Sequence, residues 1–254
     1  MIYSLIVIYN KHINDSVTYN CIKDNQNVHI IIFDNSENNI FNKNFARKHR
    51  IEYYTENKNI GLSKAYNYVI KKINIINKNY LMILDDDTVI TEEYLAEVHN
   101  KIEKSKCDIL LPIVKSNDMI LSPSNVQFGC RVKTIKNLSD IKLNKITAIN
   151  SGMVIRTTVF NDLQYDEAMF LDYVDHMFMK RIREKKYNVY VMTSVINQNY
   201  SRNQEQTIDN LKFRYSIFKK DFKYYCMKCN RMFIYYIVIL KLKIKYFIKY
   251  RLIF

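Results

Sequence analysis

The sequence predicts an α/β fold built on a mainly parallel sheet flanked by helices, and three observations predict it. Apolar runs of strand length recur at Ile2 to Tyr9, Val28 to Phe33, Ile51 to Thr55 and Tyr80 to Leu84; stretches with room for helices separate them; and each run ends in polar residues. Near-continuous apolar strands imply burial on both faces, as in a parallel sheet covered by crossover helices. Sheets of this kind take ligands at the carboxyl ends of their strands, so Asn10, Asp34, Asn59 and Asp85 to Asp87 are expected along one edge.

The elements follow in order. The 18 residues between the first two runs leave room for a helix, a βαβ spacing. Asn57-Lys58-Asn59-Ile60-Gly61 reads as a turn, and Ser63 reads as the cap of a helix with Ala65, Tyr66, Val69, Ile70 and Ile73 at helical spacing. Glu92 to Ser105 reads as an amphipathic helix burying Tyr94, Leu95, Val98 and Ile102. Asp108 to Val114 is a strand, and 115–147 is irregular, with Pro123 and Gly129. Ala148 to Ile155 sets Asn150-Ser151-Gly152 in a strand-like context, Asp172 to Lys185 is a helix, and Tyr187 to Val195 a strand. Only three glycines occur, Gly61, Gly129 and Gly152, so each marks a backbone that has to be permissive.

Composition narrows the classes. A chain of 254 residues with 48% hydrophobic and 25% charged residues is a folded globular protein, either one large domain or one domain with an appended segment. A net charge of +14 calls for an anionic partner, whether nucleotide, nucleic acid or membrane surface, and charge alone does not choose among them. The five cysteines form no framework, and Cys226 and Cys229 have no second Cys/His pair to complete a zinc site, so free thiols in a reducing cytosol are expected. Met1 to Asn10 reads as a first strand and not as a signal peptide. No acid follows Asp221, while Lys and Arg alternate with Tyr, Phe, Ile and Leu, and Met232 to Leu240 is apolar but too short to span a bilayer. Residues 222–254 therefore read as a basic amphipathic tail suited to an anionic membrane surface, with a terminal helix packed on the core as the plain alternative. No nucleic-acid motif accompanies the charge, so no nucleic-acid partner is expected.

The chemistry centres on Asp85-Asp86-Asp87, three carboxylates where a buried strand surfaces. Adjacent like charges need compensation from a cation, hydrogen bonds or solvent. Mg²⁺ or Mn²⁺ suits such oxygen ligands and often bridges to a diphosphate. In an extended segment Asp85 and Asp87 point to one side and Asp86 to the other. An acidic turn is the plain alternative.

Taken together, Val7-Ile8-Tyr9-Asn10, Asp34-Asn35-Ser36, Asn59-Ile60-Gly61-Leu62-Ser63-Lys64-Ala65-Tyr66-Asn67, Asp85-Asp86-Asp87, Asn150-Ser151-Gly152 and Phe170-Leu171-Asp172-Tyr173-Val174-Asp175-His176 resemble the family 2 glycosyltransferases over roughly residues 1–200. The likeness is to the rhamnosyltransferase-like and galactofuranosyltransferase-like branch of bacterial surface polysaccharide synthesis, lipopolysaccharide and capsule. It implies a GT-A fold, the Rossmann-like fold of nucleotide-diphospho-sugar transferases, in residues 1–221, with a nucleotide-binding half (1–114) and an acceptor half (115–221). It also implies a UDP- or dTDP-sugar donor, inversion at the anomeric carbon and a lipid-linked oligosaccharide acceptor. By motif, Tyr9 and Asp34 would hold base and ribose; Asn59 and Lys64 would lie near the nucleotide; Asp85 and Asp86 would face the donor; Asp85 and Asp87 would bind Mg²⁺ or Mn²⁺. Gly152 would let the backbone approach the sugar. Asp175 would be the catalytic base, with Asp172 its alternate at i−3. His176 reads as a neighbour of the base, and Arg181 as structural.

One departure stands out. Many relatives place a His after the last of these strands as an extra metal ligand, and this chain has none beyond His176. The corresponding stretch is Val195-Ile196-Asn197-Gln198-Asn199-Tyr200, whose amide oxygens are weaker ligands for Mn²⁺ and tolerable for Mg²⁺. The expectation is an enzyme peripheral to the cytoplasmic face of the cell membrane. A noncatalytic nucleotide-sugar- or glycan-binding relative is the alternative. A basic nucleic-acid-binding protein stands further off, as does a nucleotidyltransferase, for which Val7 to Lys11 offers no triphosphate loop.

Overall fold

Apolar side chains alternate between two helical layers from the first strand onward: Leu5 enters one core and Ile6 the other. The computed structural model describes residues 2–73, 80–105, 107–117, 119–198 and 207–251. It opens with β1 (Ile2–Ile8), α1 (Val17–Ile22), β2 (Val28–Asp34), α2 (Ile40–His49), β3 (Glu52–Thr55), α3 (Leu62–Lys72) and β4 (Tyr80–Asp85). Next come β5 (Thr88–Val89), α4 (Glu92–Lys104), β6 (Ile109–Ser116), β7 (Met119–Ser122), β8 (Ser124–Gln127), β9 (Arg131–Lys133), β10 (Ile146–Thr147) and β11 (Met153–Arg156). The chain continues through α5 (Val174–Glu184), β12 (Val189–Gln198), α6 (Ile208–Lys228) and α7 (Met232–Tyr250).

The main sheet runs β3-β2-β1-β4-β11-β6-β12-β5, with β7 pairing β6. β3, β2, β1 and β4 are mutually parallel, β11 lies antiparallel between β4 and β6, and β12 is again parallel to β6. Two buried layers clothe it, one gathering α3, α5, α6 and α7, the other α1, α2 and α4. This is the mixed, mainly parallel α/β architecture expected.

Local differences have local causes. Ser63 does not cap α3: Gly61 holds the cap position at φ 83°, and the Ser63 hydroxyl donates to the Met169 carbonyl. The 115–147 stretch, expected to be irregular, contains β7 and a three-stranded sheet β10-β8-β9. Asn150-Ser151-Gly152 forms a turn ahead of β11. The helix expected from Asp172 starts at Val174, because Tyr173 is left-handed at φ 62°, so Asp172 and Asp175 do not share a helix face. The composition change at 222 falls inside α6, and Phe222, Tyr225, Cys226, Ile234, Tyr235 and Ile239 belong to the same core as the sheet.

Candidate functional site

β1 is flanked by β2 and β4, and the register sets Val7 beside Asp85 and Ile8 beside Asp34. Strand spacing puts those two acids about 10 Å apart across β1, at the carboxyl edge of the sheet. Asp34 is fully buried and already engaged: it accepts from the Ser36 amide at 3.0 Å, Asn42 Nδ2 at 2.6 Å and the Tyr53 hydroxyl at 2.9 Å. Ser36 Oγ in turn accepts from the Asn10 amide at 2.8 Å, fixing the left-handed turn after Tyr9, which is 53% exposed. Asn59 Oδ1 accepts from Asn35 Nδ2 and the Gly61 amide, so it shapes the turn into α3, while Lys64 is exposed on that helix.

The aspartate turn is clamped by α1. Thr18 Oγ1 donates to the Asp85 carbonyl at 2.5 Å, and the Thr88 amide donates back to Thr18 Oγ1 at 2.9 Å. Asp86 turns away to pair with Lys11 at 2.5 Å. Asp85 and Asp87 share a partner instead: Gln198 Nε2 donates to Asp85 Oδ2 at 2.9 Å and to Asp87 Oδ1 at 3.3 Å. The antiparallel pairing of Thr88 with Gln198 delivers that amide to the turn. The sided arrangement read from the sequence therefore holds, although residues 86 and 87 form a turn rather than extended chain. Of the amide-rich stretch after Val195, Asn199 and Tyr200 lie outside the described residues.

Ser151 Oγ also donates to Asp85 Oδ2. Burial pushes the Asp85 carboxyl up to about 6 against that hydrogen bond, with Asp87, Asp86 and Asp175 adding to the rise. Asp87 is raised as well, first by burial. A cavity of about 250 Å³ adjoins this group, and its lining includes Tyr66, Asp85, Asn150, Asp175 and Gln198. Tyr66 is fully buried and its phenol is pushed far up by burial and by Asp85, so it stays a protonated donor.

Asp175 reaches the cavity from the first turn of α5, its Oδ1 accepting from the His176 amide at 2.7 Å, while His176 Nδ1 lies 2.8 Å from Thr147 Oγ1. Asp172 is directed elsewhere, toward Arg214 Nη2 at 3.2 Å. The loop that carries Asp172 and leads into α5 is held from two directions. The Leu62 amide donates to the Phe170 carbonyl at 2.7 Å. Buried Asp221 accepts from the amides of Phe170, Leu171 and Asp172 at 3.0, 2.8 and 2.9 Å.

Gly152 is also constrained by packing. A Cβ there would meet Ile196 Cδ1 at 2.6 Å and Pro112 Cγ at 2.9 Å, so packing against the sheet requires the glycine. Ser151, Tyr66, Asp221 and Arg214 were not singled out as site residues by sequence. Ser151 sat inside a recognised motif, and Asp221 was visible as the last acid in the chain.

A model of the glycosyl transferase family 2 matches residues 5–164, well over half of the chain. The chain belongs to glycosyl transferase family 2. It is 25% identical over 181 residues to the dTDP-rhamnosyl transferase RfbF of Shigella flexneri, covering 68% of this chain and 60% of that protein. The family 2 chain thus spans about 60% of the length of this curated relative. Among solved structures it is similar to residues 1–349 of S. aureus TarS in complex with UDP, with TM-score 0.54, 16% identity, and coverage of 86% of this chain and 64% of that one. It is also similar to GalNAc-T7 with UDP, GalNAc and Mn²⁺, with TM-score 0.62, 14% identity, and coverage of 86% and 47%. At such identities the structural matches speak for the fold.

Whether the residues suit a divalent ion can be judged from their atoms. Among the described residues no group of three His, Cys, Asp or Glu side chains is placed to hold a metal. Two carboxylates do converge on one point, where Gln198 Nε2 supplies the positive end of a dipole, and Gln198 Oε1 is buried without a hydrogen-bond partner. Turning the amide about its last torsion would exchange its N–H donor for that oxygen. Two carboxylates completed by an amide oxygen and substrate phosphates fit Mg²⁺, which is commonly held in this manner.

Proposed function

We propose that this family 2 chain is an inverting, metal-assisted glycosyltransferase that moves a sugar from a UDP- or dTDP-sugar to a hydroxyl of a lipid-linked glycan. The observation that carries the reading is a cavity lined at once by Asp85, Gln198 and Asp175. The similarity to a dTDP-rhamnosyl transferase supports the donor class.

Asp85 and Asp87, with Gln198 Oε1, would hold the ion. When bound, it supplies Lewis-acid neutralisation of the charge that grows on the departing diphosphate. Asp175 removes the proton from the acceptor hydroxyl, a general-base role for a carboxylate presented in the cavity. The His176 amide orients that carboxylate, and Thr147 fixes the His176 ring beside it. Asp172 acts through Arg214 and the loop and not as the base. Donor-side and base carboxylates stand on separate elements, β4 and α5, which supports a reading in which the leaving group and the acceptor hydroxyl are served from different sides. On the nucleotide side, Asp34 works through Ser36 and Asn10 to set Tyr9 against the base, with Asn59 and Lys64 nearby.

The test pairs binding with turnover. UDP and dTDP affinities are measured by titration calorimetry with and without Mg²⁺, and transfer is followed by release of nucleoside diphosphate from their sugars. Asp87→Ala is expected to abolish the metal-dependent part of nucleotide binding. Asp175→Asn is expected to leave that binding intact and to lower turnover by on the order of 10²–10⁴. Wild-type protein that binds neither nucleotide in the presence of Mg²⁺ would overturn the reading.

A further inference from the structure

α7 carries apolar side chains on two opposite faces. Ile234, Tyr235 and Ile239 enter the core, whereas Phe233, Tyr236, Ile237, Leu240, Ile244, Phe247 and Ile248 are 48–69% exposed. At roughly 100° per residue, the exposed set forms one stripe opposite the buried one. Its reach along the axis, from Phe233 to Ile248, is about 22 Å. Isolated exposed apolar residues need no explanation, but a continuous stripe of seven large ones marks an interaction surface. Among the described residues no helix is long and apolar enough to cross a membrane, so the stripe fits a partner that it lies against.

Charge decides which partner. The same helical geometry sets Lys241 and Lys243 on either side of the stripe, with Lys245 and Lys249 behind, and α7 carries no acid at all. A second copy docked on this face would bring lysines against lysines. An anionic lipid surface answers both features: its acyl boundary takes the stripe, and long lysine side chains reach outward to the headgroups.

We propose that α7 lies flat on the surface of an anionic bilayer, Phe233 to Ile248 inserted at the headgroup boundary and Lys241 and Lys243 on phosphate headgroups. This deepens the proposed reaction by bringing the protein to where a lipid-linked acceptor resides. It does not depend on catalysis, because binding is read with neither donor nor acceptor present.

The experiment is co-sedimentation of the full chain with vesicles of phosphatidylcholine alone or with phosphatidylglycerol added at one part in three. Wild-type protein is expected to bind the anionic vesicles and to be released by salt. Lys241→Ala and Lys243→Ala should each weaken binding about fivefold. Leu240→Ser with Ile244→Ser should abolish it without moving the thermal midpoint, since both side chains are exposed. Equal binding by that double variant, or no binding of the wild type to anionic vesicles, would overturn the proposal. So would a dimer in sedimentation equilibrium that Leu240→Ser dissolves, which would assign the stripe to a second copy.

Discussion

Gln198 Nε2 lies 2.9 Å from Asp85 Oδ2, although the two residues are 113 positions apart. The contact depends on β5, which turns Thr88 back to pair with Gln198 at the end of β12. An amide from the end of β12 thus meets two carboxylates of the aspartate turn.

Ligand softness sets the first prediction. Gln198→His is expected to tighten Mn²⁺ binding in the presence of nucleoside diphosphate by about tenfold, with a smaller effect on Mg²⁺. Gln198→Ala should weaken both, since it removes an oxygen and leaves Asp85 and Asp87 repelling each other. Electron paramagnetic resonance of free Mn²⁺ reads this without turnover. Identical Mn²⁺ affinity in all three proteins would remove Gln198 from the metal site.

The strand that delivers Gln198 is itself held by Glu97. Its register on β6 shifts between Val191 and Val195, and there the Glu97 carboxylate accepts from the amides of Thr193, at 2.9 Å, and Ser194, at 2.7 Å. Partial burial opposes ionisation, but the donors from Thr193 and Ser194 outweigh it and hold the carboxyl below its usual range. A depressed folded-state pKa gives stability that is complete above the unfolded value, near 4.5, and is lost as pH falls through the folded value. Wild type should therefore exceed Glu97→Gln by about 1 kcal/mol at neutral pH, solvent screening having reduced the figure, and the gap should close in acid. Urea unfolding of both proteins from pH 7 to pH 3 checks this, and a gap that does not change with pH would contradict it.

The parts of this site that were legible in the sequence are those written locally. Asp85 to Asp87 ends an apolar run, and Asn59 to Asn67 pairs a turn with a helical stripe, so each carries its own signal. Gln198 sat in the right stretch but could not be told from Asn197 or Asn199 until strand register chose it. That Asp172 and Asp175 do not share a helix face follows from one backbone angle, the left-handed Tyr173, that no side-chain pattern announces. Asp221 was visible only as the last acid before a basic segment, whereas its place in the structure is set by three amides some fifty residues earlier. The sheet was easy to read because burial on both faces leaves unbroken apolar runs. The small β10-β8-β9 sheet has strands of two to four residues, too short for any periodicity to show.

Asp221 gives the third prediction. Removing a buried acceptor strands every donor aimed at it, here three consecutive amides. Asp221→Ala should cost about 3 kcal/mol or more in urea unfolding. Asp221→Asn keeps one acceptor oxygen and should cost less. Because these amides belong to the loop that enters α5, the Asn variant should lose turnover while retaining nucleotide affinity. A loss confined to nucleotide binding would place the effect elsewhere.

Gly152 supplies the last prediction, and it separates packing from substrate contact. Its φ of 76° disfavours any Cβ, and the Cβ of Gly152→Ala would press on Ile196 Cδ1. Left-handed strain of about 1–2 kcal/mol and overpacking of similar size should together destabilise the protein by about 3 kcal/mol. Ile196→Val removes the offending Cδ1 and by itself costs about 1 kcal/mol through the space it leaves. In the double variant the new methyl occupies part of that space, so the two losses should fall short of their sum by about 1 kcal/mol. Pro112 Cγ, at 2.9 Å from the same Cβ position, keeps the rescue incomplete. Strict additivity in urea unfolding, together with weakened donor affinity in Gly152→Ala alone, would make the approach to the sugar that its motif implies, and not packing, the reason for this glycine.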